Sequence, residues 1–469
     1  MTLAGRLTLL VMAGGLFLAV MSTTVVSVAL PAIGQDLHAS PAELEWIVDA
    51  YVLVYASLLA AGGVLGDRYG RTGLFMTGVA TFGIGALVSG LAPTMPLLLA
   101  GRVIQGLGPA LLVPGSLTIL RATFEDPRQR ALAIGLWSTA SGLALALGPP
   151  VGGLLVTGLG WRWAFLFNVP LAAVLLLLAG RFVPRLPRGA GQGRLDWPGA
   201  VLITAALGLL AFATIEGQDK GWAAPVVLAG FGAGAAALAA FIVTERRADE
   251  PLIDLSLFGR ASFTAANTAA FILFFAFVGG IIYFSAYFQQ VQGRSAVQAG
   301  LDVAVLGVSY AIAATLAGRL VSRVGERWPL LAGLVIAAAA TFGLLRLAPA
   351  TPLSSLWWDF AVLGAGIGLC GTPMSTIAMS AVDASRAGMA SAVVNSLRQV
   401  GQVFGVAVLG ALVYARLPGA GSGGRLDPAQ GAAFVTGLHS AIWVSAVALL
   451  AAAAVAAVLL LRRPVTAAR

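Results

Sequence analysis

One carboxylate interrupts an otherwise apolar run near the start of the chain. Asp49 lies in the sequence WIVDAYVLVYASLLAAGG, residues 46–63, which is long enough to cross a bilayer as a helix. A charged side chain at the centre of a membrane costs about 2.5–3.5 kcal/mol even on lenient insertion scales, so such residues face a cavity and serve a function by default. A carboxyl group partly removed from water favours its neutral form and can exchange protons near neutral pH. Asp49 is therefore the first candidate for proton transfer.

Three other ionisable residues lie within or at the start of apolar runs. Arg102 occupies a depth similar to that of Asp49 in the fourth run. We expect Asp49 to alternate between pairing with Arg102 and carrying a proton; the alternative is a static ion pair that orients two helices. Asp302 and Asp359 follow the starts of the tenth and twelfth runs. Each is either a second proton or cation site or a solvated charge at a helix end, and Asp359 follows two tryptophans typical of a membrane interface.

The sequence favours transport over catalysis. It contains two His residues and a single Cys, and no pattern of metal ligands or of a nucleophile with its base. It contains no GxxxxGK[ST] loop for binding nucleotide phosphates. We therefore expect neither a cofactor nor an enzyme active site, and we expect an ion gradient to supply the energy. A non-transporting sensor or scaffold is the third alternative.

Composition and charge predict a membrane protein. Hydrophobic residues make up 59% of the chain and charged residues 10%, against about 25% charged residues in a soluble domain. Fourteen apolar runs of spanning length can be counted, the sixth at residues 163–183 and the fourteenth at residues 437–461. Most of the 28 Lys and Arg residues fall in loops on one side, which is expected to be the cytoplasm. This distribution places both termini in the cytoplasm and explains the net charge of +9 without nucleic acid.

A weak internal repeat divides the chain. The charged turn after the second run, residues 63–71, returns after the tenth run at residues 318–327, with Ser322 in place of the acid. This predicts two related six-helix bundles, residues 1–183 and 261–469, joined by a linker, 184–260, with two inserted transmembrane helices. Two such halves meeting around a cavity at mid-membrane are typical of secondary transporters.

Several motifs resemble those of one transporter family, the fourteen-helix drug:H⁺ antiporter branch of the major facilitator superfamily. The loop after the second run matches the family at Gly63, Asp67, Arg68, Gly70 and Arg71, and the fourth run matches at Arg102–Gly108. The fifth run matches the antiporter motif at Gly142, Gly148, Pro149, Gly152 and Gly153. Residues Trp46–Tyr51 are similar to the second helix of exporters in this branch. The resemblance implies an all-α integral membrane protein with the major facilitator fold. One position departs from the pattern, because Ser22 stands where this branch has an acid in the first helix.

The resemblance also implies roles for these motifs. Asp67 and Arg71 would hold the cytoplasmic side shut and release it during the transport cycle; the alternative is a charged anchor that only fixes topology. In the fifth helix, small residues permit close helix crossing and Pro149 removes a backbone hydrogen bond. Those residues would form an interface between the two halves that closes and moves during transport. The alternative is a static packing contact.

The resemblance finally implies a substrate cavity between the halves. Its predicted residues are Ser22, Thr24, Asn267, Phe271, Tyr283, Gln290, Asn395, Arg398 and Gln399. Aromatic faces with few polar groups favour amphipathic, aromatic or cationic compounds. The predicted function is proton-coupled export of drugs or antibiotics by alternating access; the alternative is a dedicated exporter of one endogenous natural product or lipid. The predicted partners are a small-molecule substrate, protons and the lipid bilayer of the inner (cytoplasmic) membrane, without nucleic acid and with a monomer as the working unit.

Overall fold

A computed structural model of the chain describes residues 2–185, 196–249, 251–382, 387–417 and 424–461. A few side chains inside helices, including that of Asp67, also lie outside the description. Much of the predicted linker at 184–196, the outer loop at 418–423 and the C-terminal residues 462–469 fall outside the described residues as well.

The described chain is almost entirely helical. The first seven helices are α1 (Leu3–Leu37), α2 (Pro41–Tyr69), α3 (Arg71–Gly90), α4 (Met95–Thr123), α5 (Pro127–Leu159), α6 (Trp163–Leu166) and α7 (Asn168–Phe182). Two further helices follow, α8 (Trp197–Lys220) and α9 (Pro225–Arg247). The last six are α10 (Ala261–Ala286), α11 (Ala296–Val324), α12 (Arg327–Gly343), α13 (Leu353–Ser380), α14 (Ala387–Tyr414) and α15 (Pro428–Leu461). A π-helical turn (Tyr287–Val291) prolongs α10, and short 3₁₀ segments lie at Leu255–Gly259 and Leu344–Arg346.

Thirteen helical segments among the described residues are long and apolar enough to cross a membrane. The short helix α6 and α7 together form one of them. The helix α2, which contains Asp49, is outside those thirteen but is 29 residues long. The long helices therefore correspond one to one with the fourteen predicted runs.

Local sequence signals set several helix ends. Ser40 and Glu43 form a reciprocal capping box that begins α2. Gly70, at a φ of 99°, makes the sharp turn between α2 and α3, a conformation that favours glycine because it has no Cβ. At α15, Asp427 and Gln430 cap one another. That cap starts the helix at Pro428, well before the apolar run that we predicted from residue 437.

The helices pack as two bundles with a hairpin beside them. In the first bundle α3 packs on α4, α2 on α4 and α1 on α5; in the second α11 packs on α13, α10 on α14 and α12 on α13. The two bundles meet mainly through α5 against α11 and α2 against α14. The hairpin of α8 and α9 contacts α2 and α14 through α8. This arrangement brings the Asp49 helix to the interface between the bundles.

The end of the molecule where α1 ends and α2 begins, which we call the predicted outer end, contains several close approaches between the bundles. There Gly153 approaches Ala296, Gly300 approaches Pro149, and Gln289 donates a hydrogen bond to the carbonyl of Val28. Farther along α5, toward its start, a Cβ on Gly135 would meet no atom within 4 Å. The described contacts therefore close the bundle at the predicted outer end.

Candidate functional site

The helix α2 presents two different faces to the rest of the protein. Glu45 and Asp49 are four residues apart and share one face, whereas Ile47 and Tyr51 share the opposite one. The face with Tyr51 packs inside the first bundle, where the Tyr51 hydroxyl donates a hydrogen bond of 2.7 Å to the Ala19 carbonyl. The face with the two acids packs against α10 and α14 of the second bundle. The acids therefore lie at the interface between bundles.

Arg102 is fully buried on the Tyr51 side of α2. Its Nε donates to the Ile47 carbonyl at 2.6 Å, and its Nη1 donates to Ser22 Oγ at 3.2 Å and to Gln105 Oε1 at 2.8 Å. The guanidinium also lies 4.3 Å from the centre of the Tyr51 ring, a favourable cation–π distance. Among the described residues, Arg102 Nη2 has no hydrogen-bond partner. Ser22 therefore contacts this buried cation through a neutral hydroxyl that does not balance its charge.

Asp49 does not pair with Arg102 in this conformation. Its side chain is 0% exposed, and neither carboxyl oxygen has a hydrogen-bond partner among the described residues. The titratable groups near it are Glu45, one turn away on α2, and Tyr283 of α10. The predicted pairing fails here for a geometric reason, because Arg102 contacts the face of α2 opposite to Asp49.

A second buried acid, which sequence reasoning missed, lies beside Asp49. Glu45 is 3% exposed, and its Oε1 lies 3.0 Å from the Tyr283 hydroxyl, which also lies 2.6 Å from the Val406 carbonyl. A Cβ on Gly410 would come within 1.8 Å of the same carboxyl oxygen and within 2.1 Å of the Tyr283 hydroxyl, so glycine at position 410 lets α14 lie close to both side chains. The four-residue spacing of Glu45 and Asp49 was the available signal. Tyr283, predicted to line the substrate cavity, lies in this closed contact.

The predicted antiporter motif of α5 lies against both bundles. Gly148 and Gly152 face α1, where a Cβ would meet Thr24 and the Val25 carbonyl; Gly153 and Gly142 face α11. The carbonyl of Pro149 in turn approaches Gly300. The motif residues are brought together at the contact between bundles, and Thr24, predicted to line the cavity, is part of this packing.

The predicted gate motif lies at the opposite end, around the turn from α2 to α3. The α-carbon of Gly63 faces Pro114 of α4, and the Arg68 guanidinium lies 5.6 Å from the ring centre of Tyr69. Arg71 begins α3 after Gly70. The side chain of Asp67 lies outside the described part of the chain, so the pairing predicted for it stays a prediction.

Asp302 and Asp359 each have a basic partner near the predicted outer end. Asp302 Oδ2 lies 2.7 Å from Arg294 Nη1, and Asp359 Oδ2 lies 2.5 Å from Arg346 Nη2. Their side chains are 7% and 12% exposed. Neither acid lies beside Asp49.

The other predicted cavity residues fall into two groups. Arg398 lies 4.2 Å from the ring centre of Phe274 and donates a 3.4 Å hydrogen bond to Asn395; Phe271 lies 6.3 Å from Phe404, ring centre to ring centre. Gln399 is half-buried on the same helix, α14, as Arg398. Asn267 is buried in α10, and Gln290 lines a small crevice near Glu45. An aromatic and cationic surface on α10 and α14 is thus separate from the Ser22–Arg102 cluster.

The sequence as a whole matches a family model. The model described as the Major Facilitator Superfamily matches residues 12–406. The chain belongs to the major facilitator superfamily. The prediction of that fold, with its helical membrane bundles, is confirmed, and the proteins of this superfamily are transporters.

Similar superfamily proteins are efflux and resistance proteins. The chain is 35% identical to the multidrug resistance protein Stp of Mycobacterium tuberculosis (strain CDC 1551 / Oshkosh) over 88% of this chain and 76% of that protein. It is 35% identical to the methylenomycin A resistance protein of Bacillus subtilis (strain 168) over 87% of each, and 35% identical to the tetracenomycin C resistance and export protein of Streptomyces glaucescens over 87% and 76%.

Solved structures of major facilitator proteins share this fold. A bacterial homologue of the human lysosomal transporter Spinster, in an inward-facing and unoccupied conformation, aligns with a TM-score of 0.70 at 21% identity, covering 98% of this chain and 97% of that one. The xylose transporter XylE from E. coli aligns with a TM-score of 0.66 at 15% identity over the whole of both chains. At this level of identity the likeness concerns the fold alone.

Proposed function

We propose that this protein is a proton-coupled secondary active exporter of amphipathic drugs or antibiotics, with Asp49 as the proton-carrying residue. The observation that supports this most directly is the position of Asp49. It is a fully buried acid without a described partner, on the face of α2 that the second bundle covers. A change in the contact between bundles would therefore change the exposure of this carboxyl group.

In the proposed step, the carboxyl group of Asp49 changes between a hydrated state and a buried state. An ionised carboxylate without hydrogen bonds is strongly disfavoured in an apolar interior, so the closed arrangement favours the neutral, protonated Asp49. When the bundles separate at this face, water reaches the carboxyl group and stabilises its ionised form. Alternating access would then take up a proton on one side of the membrane and release it on the other as substrate leaves.

The proposed substrate surface is the aromatic and cationic group on α10 and α14. Phe271, Phe404 and the Arg398–Phe274 pair offer ring faces with few polar atoms, which suit amphipathic aromatic compounds. Cationic compounds would gain from the ring faces. A dedicated exporter of one natural product is the second candidate, because two similar proteins are named for resistance to a single antibiotic.

The remaining assignments are also proposals. The charge distribution supports a bacterial inner-membrane protein with both termini in the cytoplasm, working as a monomer with two six-helix halves. Asp302 and Asp359 are proposed as accessory proton or cation sites, each released from its arginine when the bundles move. The turn from Gly63 to Arg71 is proposed as the gate at the cytoplasmic end.

The test of Asp49 is transport by purified protein in liposomes with an imposed pH gradient. Asp49→Asn, which is isosteric with the protonated acid, should abolish gradient-driven efflux while the protein still inserts. Asp427→Asn, at the exposed cap of α15, is the matched control and should transport like the parent. Undiminished proton-coupled efflux by Asp49→Asn would exclude Asp49 from the mechanism.

The substrate is tested in the same liposomes with a panel of cationic and neutral aromatic compounds, with an internal pH dye as readout. Proton movement with many unrelated compounds supports a multidrug exporter. Proton movement with one compound class supports the dedicated exporter. Flux with no proton movement for any compound would contradict proton coupling.

A further inference from the structure

Four polar residues of α14 form a stripe along one side of that helix. They are Ser391, Asn395, Arg398 and Gln402. Spacings of four, three and four residues place them on a common side of a helix. Gly401 and Gly405 on one flank of this α14 stripe pack against the backbone of α10, and Gly410 on the other flank approaches Glu45 of α2. The α14 stripe therefore faces the region between α10 and α2, which belong to different bundles.

The guanidinium of Arg398 lies between the two bundles. Its Cζ is 4.2 Å from the ring centre of Phe274, on α10 of the second bundle, and its Nη1 donates to Asn395 Oδ1 at 3.4 Å. Tyr55, on α2 of the first bundle, lies within electrostatic range of this cation. Arg398 remains half-buried. A compound bound between the bundles at this depth would therefore reach it.

No acid balances the charge of Arg398 among the residues that the structure describes. The salt bridges in that part of the chain join other residues, and the oxygens of the buried acid Asp49 have no hydrogen-bond partner there. A cation at membrane depth without a counter-charge is unfavourable. A ligand with a negatively charged group would supply the missing charge.

A second donor without a partner lies one turn farther along the α14 stripe. Gln402 is 4% exposed, and its Nε2 has no hydrogen-bond partner among the described residues. An amide nitrogen can donate but not accept, and a buried donor is unfavourable until an acceptor pairs with it. Arg398 and Gln402 thus present donors on the same side of α14, and the stripe itself contains no carboxylate.

We infer that the α14 stripe binds the acidic group of the transported compound, with Arg398 as the charge partner and Gln402 as a second donor. The ligand class is an amphipathic aromatic compound that carries a carboxylate or another oxyanion. Arginine forms paired, charge-assisted hydrogen bonds with carboxylates. The rings of Phe271 and Phe404, 6.3 Å apart between centres, would contact the aromatic part. This inference deepens the proposed function and rests on it for the statement that the bound compound is exported.

The same geometry disfavours a cationic compound at this position. The Arg398 guanidinium already lies over the ring of Phe274, so that ring face is not available to a second cation. Two positive charges close together in a site of low dielectric constant also repel each other strongly. The sign of the ligand charge therefore separates this inference from the cationic compounds considered above.

The test measures binding to purified full-length protein in detergent, without a pH gradient. The probes share one aromatic ring system and differ in charge: naphthoate is anionic, naphthamide is neutral and naphthylmethylammonium is cationic. At neutral pH the carboxyl group of naphthoate is ionised. In calorimetric titrations the parent protein should bind naphthoate about tenfold more tightly than naphthamide. It should bind naphthylmethylammonium more weakly than either.

Variants of the α14 stripe separate charge from shape. Arg398→Gln removes the charge and should reduce the preference for naphthoate over naphthamide to less than about twofold. Arg398→Lys keeps the charge without the planar fork and should retain part of the preference. Gln402→Leu should weaken naphthoate binding about threefold. Arg416→Gln, which removes an exposed cation just beyond the end of α14, is the matched control and should bind like the parent.

Equal affinity of the parent for naphthoate and naphthamide would overturn the inference, and so would the absence of saturable naphthoate binding up to about 10 mM. A loss of both probes in equal proportion in Arg398→Gln would also overturn it, because Arg398 would then only shape the site.

The proposed function fails separately from this inference. If Asp49→Asn still exports with the pH gradient while the parent prefers naphthoate, the α14 stripe remains the site for acidic groups and only the role of Asp49 is lost. If Asp49→Asn stops export and the parent shows no preference for naphthoate, only the inference about the α14 stripe fails.

Discussion

Gly153 of α5 lies against the backbone of Ala296 at the start of α11. A Cβ on Gly153 would come within 2.5 Å of the Ala296 carbonyl oxygen, and a Cβ on Gly300 would come within 2.3 Å of the Pro149 carbonyl oxygen. The two helices, one from each bundle, therefore touch backbone to backbone. Small residues that permit such approaches are the usual basis of helix association in membranes.

Gly153→Ala should weaken closure at the predicted outer end. The added methyl group meets backbone atoms, which cannot rotate away, so the closed arrangement should lose about 1–3 kcal/mol. Labelling of a reporter cysteine at the outer crevice, Ala286→Cys in a Cys370→Ala background, by a membrane-impermeant maleimide should rise, and export should fall. Gly158→Ala is the matched control on the same helix, because a Cβ there meets no atom within 4 Å. Equal labelling of the two alanine variants would show that this contact does not control closure.

Ser22→Asp should stabilise the protein at neutral pH. The new carboxylate would lie beside Arg102 Nη1, now 3.2 Å from Ser22 Oγ, and would balance a buried cation. Charge-assisted hydrogen bonds contribute about 1.5–3 kcal/mol, so the thermal unfolding midpoint in detergent should rise. The gain requires an ionised acid and should disappear as the solution is acidified.

Ser22→Asn separates charge from size in that experiment. The amide is nearly isosteric with the carboxyl group but neutral, so it should give little or no stabilisation and no dependence on pH. A midpoint for Ser22→Asp that is no higher than that of Ser22→Asn at neutral pH would contradict the view that Arg102 lacks a matching charge.

Glu245→Gln should remove a pH dependence of stability at the end of the α8–α9 hairpin. Glu245 Oε1 and Asp196 Oδ2 both lie beside the α-carbon of Gly199 and neither has a hydrogen-bond partner among the described residues, while Glu245 Oε2 accepts from the Ile253 amide at 2.9 Å. Two carboxyl groups can share a hydrogen bond only while one is protonated, so the parent protein should lose stability as the pH rises and both ionise. The glutamine amide can donate to Asp196 at every pH.

The measurement is again the thermal unfolding midpoint across pH, for the parent and for Glu245→Gln. The variant should show a flatter profile than the parent. Asp196→Asn, which keeps an acceptor for the Gly199 amide, should flatten the profile in the same way. Parallel profiles for all three proteins would mean that the two carboxyl groups do not share a proton.

The membrane-spanning helices could be predicted from the sequence because crossing a bilayer requires a long run of apolar residues, and such runs are visible in the sequence. About twenty apolar residues are needed to cross the membrane, and the predicted sixth run, 163–183, corresponds to the segment from Trp163 to Phe182. Hydropathy does not report the break between α6 and α7 at Phe167, nor the capped start of α15 at Pro428, because both depend on local hydrogen bonds.

The sequence predicted how far along α2 the acid Asp49 lies, but not which neighbouring helices its side chain faces. The position of Asp49 along α2 follows from the sequence, whereas the helices that face it do not, because the sequence does not show which side of α2 packs inside its own bundle and which meets the other bundle. The expected Asp49–Arg102 pair is not formed in this structure for this reason. Glu45 was overlooked because it stands at the edge of the apolar run, although its spacing from Asp49 placed both acids on one face.

The opposed faces of α2 have a consequence for protein engineering. Tyr51 and Arg102 belong to the interior of one bundle, and Glu45 and Asp49 to the surface that two bundles share. Substitutions beside the buried cation, such as those at Ser22, alter the interior of one bundle and leave the shared surface in place. One helix therefore has two sides that can be redesigned separately, one for the stability of a bundle and the other for the contact between bundles.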